Sequence, residues 1–535
     1  MRRGQFSCGP DALRREYDVV VIGSGLGGLT CAAVLAEAGA AVAVVEQFTN
    51  IGGCCQCYRR GGYTFDVSVH SMYNWGYLGR LLARLGEPLA VVPVTDENRF
   101  PRHRFRFATV PQLARDFAGF FPAEGEAVRS YYRDLEEAVR QLLELQDPGV
   151  SFKPDRHGAF AAFWGRTTAD VILERFQHPE LRALALSVQA GYMPDLPWTM
   201  SAYHLYMIRN YYRDLYLPAG GSQELPNALA RAIVRRGGDV ATGTLVERIA
   251  VAGDRATGVE LAGGRRIAAR RAVVSNADAH LTYDRLLAGG DAPPEVRAFL
   301  ARDITPSYFV VNLGLDIDLP AMGFDITHIQ HYPTYDVLRM YRDILGGRIP
   351  PDYWMWVGFP SVSDPHKAPP GKSTMFLAIF APYECEERWH SGPGYAFDGV
   401  RPAGPPAESY AEFKERLAND AIQRAESIIP GLGRHIAVRD VLTPISYERV
   451  TLNHRAASVG WRFGPRELRQ RGSRFGLPRR THVEGLFLCG GWTETGTGCF
   501  PVALGGEIAA YEVLGRSWQG LYGYSWDERA VREVI

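Results

Sequence analysis

The clearest pattern of hydrophobic positions lies near the beginning of the chain. Residues 18–22 form a β-branched apolar run, typical of a strand that is buried on both faces. An Ala- and Leu-rich stretch over residues 29–38 predicts a buried helix, and residues 41–45 form a second apolar strand. The pattern therefore predicts a strand–helix–strand unit in which the sheet is parallel.

Helical and strand-like patterns alternate along the rest of the chain. Amphipathic or apolar helices are predicted over residues 78–85, 124–146, 168–190, 199–212 and 410–429. Short apolar runs with Gly/Pro turns predict strands within residues 239–277 and 305–385. This order predicts two interleaved domains, a nucleotide-binding domain and a second, mixed α+β domain. The expected segments are 17–100, 218–290 and 441–520 for the first, and 101–217 and 291–440 for the second.

A glycine-rich turn joins the first strand to the first helix. Gly23 permits the tight turn, Gly25 lets the backbone approach a pyrophosphate, and Gly28 lets the helix pack close to the strand. The helix N-terminus would hold the phosphates. Glu46 closes the second strand, where it can accept a hydrogen bond from a ribose hydroxyl. Together these features predict dinucleotide binding; the alternative is a glycine-rich turn with no ligand.

Charge and composition narrow the classes of function. The chain has 535 residues with 59 basic and 59 acidic side chains, and this balance argues against nucleic acid as the main partner. Apart from residues 19–45, whose glycines follow the nucleotide-binding pattern, no run approaches the length of a membrane span. We therefore expect a cytoplasmic protein or one bound peripherally to a membrane surface.

The eight cysteines are too few for a disulfide scaffold and favour a reducing compartment. Cys54, Cys55 and Cys57 are clustered, but no second pair accompanies them with the spacing of a structural zinc site. No metal site is therefore predicted. The cluster is interpreted as small residues filling a turn, with a metal or redox role as the alternative.

Four stretches together resemble the flavoprotein superfamily of bacterial phytoene desaturases, carotenoid cis–trans isomerases and retinol saturases. They span most of the chain in that family's order. The resemblance implies an α/β fold with a Rossmann-like FAD-binding domain, of the glutathione-reductase/amine-oxidase type, interleaved with a substrate domain. The stretches are residues 17–53 with GYTFDV (62–67), PAGGS (218–222) with residues 243–249 and VVSNAD (273–278), PSVSDPHKAPPG (360–371), and VEGLFLCGGWT (483–493) with its glycine loop.

The resemblance assigns residues to the parts of FAD. The ADP half would be held by the first glycines and the acid, and Val246 would present its backbone to the adenine. The helix predicted to begin near Ala503 would direct its N-terminus at the pyrimidine edge of the flavin. The full set of cofactor-binding candidates is Gly23, Gly25, Gly28, Glu46, Gly53, Val246, Gly490, Gly491, Gly498 and Val502.

Candidates for an acid or base near the flavin come from the points where this chain differs from its family. His70 follows the 62–67 strand in place of a more glycine-like turn, and Glu494 follows the C-terminal glycines. His204, in an aromatic-rich helix, is a third candidate. The alternatives are a hydrogen-bonded structural histidine and a carboxylate that caps the glycine loop.

The predicted function is that of an FAD-dependent oxidoreductase acting on a long apolar polyene or isoprenoid lipid, by desaturation or cis–trans isomerisation. Alternatives are a retinol-saturase-like reductase, an FAD-dependent amine oxidase, and a non-enzymatic prenyl-binding escort protein. Since no second glycine fingerprint lies between a strand and a helix, electrons would be exchanged with a quinone, oxygen or a redox protein.

A lipophilic substrate would enter from a membrane surface. Residues 100–107 alternate aromatic and basic side chains, as a strand with one charged face would, and suit contact with lipid headgroups. The aromatic group around residues 203–216 is either plain core or the wall of a tunnel for a long apolar ligand.

Overall fold

The computed structural model describes residues 7–106, 109–144, 151–163, 166–188, 193–198, 215–287, 292–385, 389, 409–462 and 476–517. Its strands, in chain order, are β1 (Glu16–Ile22), β2 (Val42–Val45), β3 (Cys57–Arg60), β4 (Tyr63–Asp66), β5 (Val91–Pro93), β6 (Asp96–Arg99), β7 (Arg104–Arg106), β8 (Tyr216–Pro218), β9 (Asp239–Ala241), β10 (Val246–Ala252), β11 (Arg255–Leu261), β12 (Arg266–Ser275), β13 (Ser307–Leu315), β14 (His328–His331), β15 (Met355–Gly358), β16 (Ser373–Ala381), β17 (Ile436–Leu442) and β18 (Leu486–Leu488).

The helices lie between these strands and are mostly amphipathic. In chain order they are α1 (Leu26–Glu37), α2 (Trp75–Leu85), α3 (Val110–Phe120), α4 (Gly125–Glu144), α5 (Gly158–Phe163), α6 (Thr168–Arg175), α7 (Pro179–Ser187), α8 (Glu224–Arg235), α9 (Pro294–Leu300), α10 (Val337–Leu345), α11 (Pro360–Ser363), α12 (Tyr410–Ala425), α13 (Pro444–Thr451) and α14 (Cys499–Val513). Within the described ranges, every helix is too short or too polar to cross a bilayer.

The first sheet contains the predicted strand–helix–strand unit. Its order is β10-β11-β12-β1-β2-β9, and β18 pairs with β12. β1 is parallel to both β2 and β12. Val19, Val20 and Val21 are fully buried, which explains why β1 is apolar on both faces. The strands come from the beginning, middle and end of the chain, so this sheet is assembled from separated segments.

Two apolar helices pack closely on the first sheet. α1 and α14 approach each other so tightly that a Cβ atom added at Gly506 would lie 2.1 Å from the carbonyl oxygen of Gly27. This contact requires glycine, and it places the N-termini of both helices at the same edge of the sheet. α14 begins at Cys499, so the predicted start near Ala503 is wrong by about one helical turn.

The second sheet has the order β17-β13-β16-β15-β14-β6-β7 and is antiparallel except where β14 pairs with β6. One face packs on residues of helices α3, α4, α6 and α7, and the other face packs on α12. Because both faces are covered, β16 is buried at every position. β6 lies in a segment predicted for the nucleotide-binding domain but pairs with this second sheet.

Two helical predictions differ from the structure in detail. The helix predicted over residues 168–190 is interrupted between α6 and α7, where Pro179 starts the second helix. The helix predicted over residues 199–212 lies outside the described residues, and with it His204.

The aromatic and basic run at residues 100–107 is not one strand. β6 ends before it and β7 covers only Arg104–Arg106, so Phe100 lies in the turn between them. Phe100 and Phe105 are buried, and the Phe100 ring stacks on Tyr332 with centroids 4.5 Å apart. These two rings therefore belong to the core of the second domain.

Candidate functional site

A cavity of about 310 Å³ lies at the carboxyl ends of the parallel strands of the first sheet. In open α/β sheets this edge is where ligands bind. The cavity extends from the glycine turn after β1 to side chains of the second sheet, which include Tyr308 and Trp356. Ten of the residues predicted to form the site line it: Gly23, Gly25, Glu46, Gly53, His70, Val246, Gly490, Gly491, Gly498 and Val502.

The glycine turn has the geometry that the sequence predicted. Gly23 has a φ of +88°, in the left-handed region. A Cβ atom at Gly28 would lie 2.3 Å from the carbonyl oxygen of Gly23, and one at Gly25 would lie 2.7 Å from Nδ2 of Asn276. Gly28 is absent from the cavity lining because its role is to let α1 pack against the turn. Gly23 therefore requires glycine for its backbone conformation, whereas Gly25 and Gly28 require it for space.

Asn276 joins the first and last glycine segments, and sequence analysis did not single it out as a site residue. It follows β12 and lines the cavity. A Cβ at Gly490 would lie 2.7 Å from its Oδ1 atom, so the last glycine segment closes directly onto it. The VVSNAD motif contains this asparagine, but the sequence does not show its role. That role follows from the pairing of β12 with β18, which places Gly490 against it.

Glu46 lines the cavity and also braces the glycine turn. Its Oε2 accepts hydrogen bonds from the backbone N–H and the hydroxyl of Ser24, at 2.8 and 2.7 Å, and Oε1 accepts from the N–H of Phe48 at 2.7 Å. Burial raises the pKa of Glu46, and the hydrogen bonds oppose that effect. Its contact with a ribose hydroxyl stays a prediction.

His70 lies at the other end of the cavity, among aromatic side chains. Its ring stacks on Phe376 with centroids 3.8 Å apart and meets Trp356 edge-on. The side chain is 4% exposed, and its Nδ1 has no hydrogen-bond partner among the described residues. Burial lowers the pKa of His70 to about 4; this value already includes the opposing effect of Asp66 and a further lowering by Lys367. The imidazole is therefore neutral at neutral pH.

A buried ion pair between Asp66 and Lys367 lies behind His70. Oδ1 of Asp66 also accepts hydrogen bonds from the backbone N–H and the hydroxyl of Ser222, at 2.9 and 2.8 Å. Burial alone would raise the pKa of Asp66, but the Lys367 ammonium and the hydrogen bonds hold it well below its usual range. Both charges are therefore retained in the interior, because each has its partner.

This ion pair connects three of the four stretches that carried the family resemblance. Asp66 comes from GYTFDV, Ser222 from PAGGS, and Lys367 from PSVSDPHKAPPG. Gly221 is confined among them, since a Cβ there would lie 3.0 Å from the Lys367 Nζ atom. The stretches are recognisable in the sequence, but the ion pair is not, because its members are distant in sequence.

Glu494 does not line the cavity. Its carboxylate forms an ion pair with Arg479 at 3.2 Å, and its side chain is 29% exposed. The prediction that it faces the flavin therefore has no support from the geometry, which favours the alternative of a carboxylate that stabilises the loop. The reason is local: the cavity wall includes Trp492 and resumes at Thr497, and the residues between them, Glu494 among them, do not line it.

The N-terminus of α14 faces the cavity. Gly498, with a φ of +114°, precedes the helix, and Cys499 and Val502 of its first turn line the cavity. Free N–H groups of a first helical turn favour negative charge. The predicted placement of a helix N-terminus beside the flavin is therefore consistent with the structure, although the helix begins earlier than expected.

These residues fit a flavin dinucleotide. Gly25 presents its backbone to the cavity and has no room for a side chain beside Asn276. Glu46, directly after β2, lines the same part of the cavity, and a second helix N-terminus lies at the far side. The observed geometry thus provides for a pyrophosphate, a ribose and a ring that accumulates negative charge on reduction.

Comparison with known proteins agrees with this geometry. The family described as flavin containing amine oxidoreductase matches residues 26–306. Prolycopene isomerase of Daucus carota is 26% identical, over 93% of this chain and 80% of its own length. All-trans-retinol 13,14-reductase of Danio rerio is 27% identical, over 81% of this chain and 75% of its own.

A solved structure shows the same fold. An oxidoreductase from Methanosarcina mazei superposes with a TM-score of 0.62 at 18% identity, covering 93% of this chain and all of that one. Because the family match spans more than half of the chain and the cavity fits the cofactor, the chain belongs to the flavin containing amine oxidoreductase family and is an FAD-dependent oxidoreductase.

Proposed function

We propose that this oxidoreductase acts on a long apolar polyene, by cis–trans isomerisation or desaturation. One observation carries the proposal: a single cavity joins the dinucleotide-binding turn to a wall of apolar and aromatic side chains. That wall contains Met193, Tyr308 and Trp356, and within it the titratable side chain of His70 is neutral. Such a wall suits a hydrocarbon chain better than a charged amine.

The chain's own residues would hold and orient FAD. Gly23, Gly25 and Glu46 would hold the ADP half, and Gly490 and Gly491 would approach the ribityl-phosphate side. When bound, the flavin supplies the two-electron chemistry. The surrounding protein excludes water and fixes the distance between ring and substrate.

His70 is our candidate for moving a proton at the reacting carbon. Its Nδ1 is buried without a hydrogen-bond partner among the described residues, so the proton-accepting or proton-donating atom is not already engaged. The stack on Phe376 fixes the ring plane. Desaturation and its reverse both need such a group, whereas isomerisation needs only a transient exchange of an electron or a proton with the reduced flavin.

The buried ion pair would position His70 without contacting the substrate. Asp66 ends β4, four residues before His70. Lys367 lies between α11 and β16, in the segment that leads into the second sheet. The pair therefore fixes the segment that carries His70 against both domains. Asp66 and Lys367 are positioning residues in this proposal.

A retinol-saturase-like reductase is the second candidate. The similarity to a protein named all-trans-retinol 13,14-reductase favours it, and the same cavity would serve. For either reaction, a quinone, oxygen or a redox protein is our proposed electron partner, because the sequence has no second glycine fingerprint for a nicotinamide. Peripheral contact with a membrane would give access to such a substrate.

Anaerobic incubation of the flavin-loaded protein with a set of cis and all-trans polyenes tests the proposal. The products are separated by retention time and weighed by mass spectrometry, with the flavin either oxidised or chemically reduced beforehand. Unchanged mass with shifted retention identifies an isomerase; loss of two hydrogens identifies a desaturase and gain of two a saturase. Flavin reduction by amines, with every polyene left unchanged, would contradict the proposal and favour an amine oxidase.

A further inference from the structure

Two cysteines from opposite ends of the chain meet in the wall of the flavin cavity. The Sγ atoms of Cys55 and Cys499 are 3.9 Å apart, and both residues line the cavity. Cys55 ends the short helix that begins at Gly53, and Cys499 is the first residue of α14. Neither residue has a role in the proposed proton transfer, so the contact needs another explanation.

The other cysteines of the cluster are engaged differently. Cys57 donates a hydrogen bond to Asp66 at 3.0 Å. Cys54 lines the cavity. The cluster of three cysteines seen in the sequence therefore separates, and its central member pairs with a residue far along the chain.

The contact is compatible with a covalent bond after a small movement. A disulfide has an S–S distance of about 2.05 Å, so the two sulfur atoms must approach by somewhat less than 2 Å. Rotation of the side chains about χ1 supplies movements of this size without moving the backbone. Cys499 is the first residue of α14 and lines the cavity, so its sulfur atom lies at the edge of the flavin site.

We propose that Cys55 and Cys499 are a redox-active dithiol that exchanges two electrons with the flavin bound in this cavity. On oxidation the two thiols lose two protons and two electrons, and one S–S bond forms. The oxidised flavin accepts the two electrons and takes up protons. A thiol reductant from solution regenerates the dithiol by thiol–disulfide exchange.

The dithiol gives the site its own supply of reducing equivalents. This use rests on the proposed function, since isomerisation or saturation of a polyene needs a reduced flavin whereas desaturation delivers electrons instead. The contact with Cys499 and burial raise the pKa of Cys55 well above its usual value. Cys55 is therefore kept as a thiol at neutral pH, and oxidation of the pair should accelerate as the pH rises.

Peptide mapping of the full-length protein tests the bond itself. The reduced protein is treated with a mild thiol oxidant, its remaining thiols are alkylated under denaturing conditions, and the digest is weighed. We expect the eight thiols to decrease by two and a linked peptide to join the segments of Cys55 and Cys499. The same mapping after removal of the flavin gives a readout that is independent of activity.

A reductive titration tests exchange with the flavin. The oxidised holoprotein should take up one further two-electron equivalent per flavin, compared with a Cys499→Ser variant. Cys8→Ser is the matched control, because it removes a thiol outside the cavity and should leave the electron count unchanged. Titration of Cys55→Ser repeats the test from the other partner, should Cys499→Ser fail to retain flavin.

Three results would overturn the inference: no linked peptide in the native protein, a link between Cys54 and Cys55 instead, or equal electron uptake in the native protein and both serine variants. None of these measurements uses a polyene. Failure of the proposed polyene reaction, with the linked peptide present, would therefore leave the dithiol intact and remove only its suggested use.

Discussion

The two ends of the cavity are built in different ways. At the nucleotide end, the turn after β1 is shaped by backbone, and the critical positions are ones where a side chain would not fit, such as Gly25 and Gly28. At the substrate end, His70 is held by aromatic rings and lies in front of a buried ion pair. One end is thus defined by the absence of side chains, and the other by their packing and charge.

The difference explains what each end can tolerate. A phosphate group is recognised through N–H groups and a helix dipole, which almost any surrounding sequence can provide once the glycines allow the turn. An apolar substrate is recognised by the shape and polarity of a particular set of side chains. We therefore expect substitutions at the two ends to separate flavin binding from substrate chemistry.

Lys367→Met should have the largest effect on stability. Removing the ammonium leaves the Asp66 carboxylate buried without its counter-charge, and breaking a buried pair in this way costs about 3–5 kcal/mol. Urea denaturation followed by tryptophan fluorescence measures the loss. The double variant Lys367→Met with Asp66→Asn should recover part of it, since no uncompensated charge remains; equal stability of the native protein and the single variant would contradict the proposed role of the pair.

His70→Gln should lower the rate of polyene conversion by about 10²–10⁴-fold, the usual contribution of a general acid or base. Flavin content should remain unchanged, because His70 lies at the substrate end. The matched control is His328→Gln: His328 is also buried and also meets Trp356 edge-on, but it does not line the cavity. Equal rate losses in the two variants would assign His70 a purely structural role.

Gly28→Ala should act on the opposite end. The added methyl group would meet the carbonyl oxygen of Gly23 at 2.3 Å, so α1 must shift, at a cost of about 1–3 kcal/mol. Flavin absorbance per chain should decrease with it. Gly119→Ala in α3 has nothing within 4 Å of the added atom and serves as the control, since an alanine there should be neutral or slightly stabilising.

Acid should destabilise the protein through His70. Its folded-state pKa is about 4, below the ordinary value of 6.5, so the unfolded chain binds more protons between these two values. The free energy of unfolding should therefore decrease as the pH falls from 6.5 toward 4. Denaturation curves across this window should show a shallower slope for His70→Gln; an unchanged slope would indicate that the imidazole is protonated in the folded state.

Glu494→Gln should have the smallest effect. The carboxylate is partly exposed, and the buried Arg479 keeps Glu512 as a second partner, so the substitution should change stability by no more than about 1 kcal/mol. Polyene conversion should change less than threefold, against the large loss expected for His70→Gln. A loss of the same size in both variants would return Glu494 to the list of catalytic candidates and would show that the loop moves when substrate binds.

Prediction from sequence succeeded where local pattern fixes local structure. The strand, turn and helix around Gly23–Gly28 and the acid at position 46 lie as expected, because each is set by residues within a short stretch. His70, a candidate because it differs from the family pattern, lines the cavity, and its catalytic role stays a prediction. The start of α14 was misplaced because Cys499, Phe500 and Pro501 are equally compatible with a loop or a first helical turn.

By itself the sequence determined that a dinucleotide would lie where the first strand meets the first helix, since that chemistry depends on backbone freedom and on residues near one another in the chain. Only the tertiary structure decided which residues from distant parts of the chain meet around the cavity. Asp66 with Lys367, Asn276 with Gly490, and Cys55 with Cys499 are each far apart in sequence. Their pairing depends on how two interleaved sheets pack, because burial and proximity, rather than residue type, determine which polar groups and thiols meet.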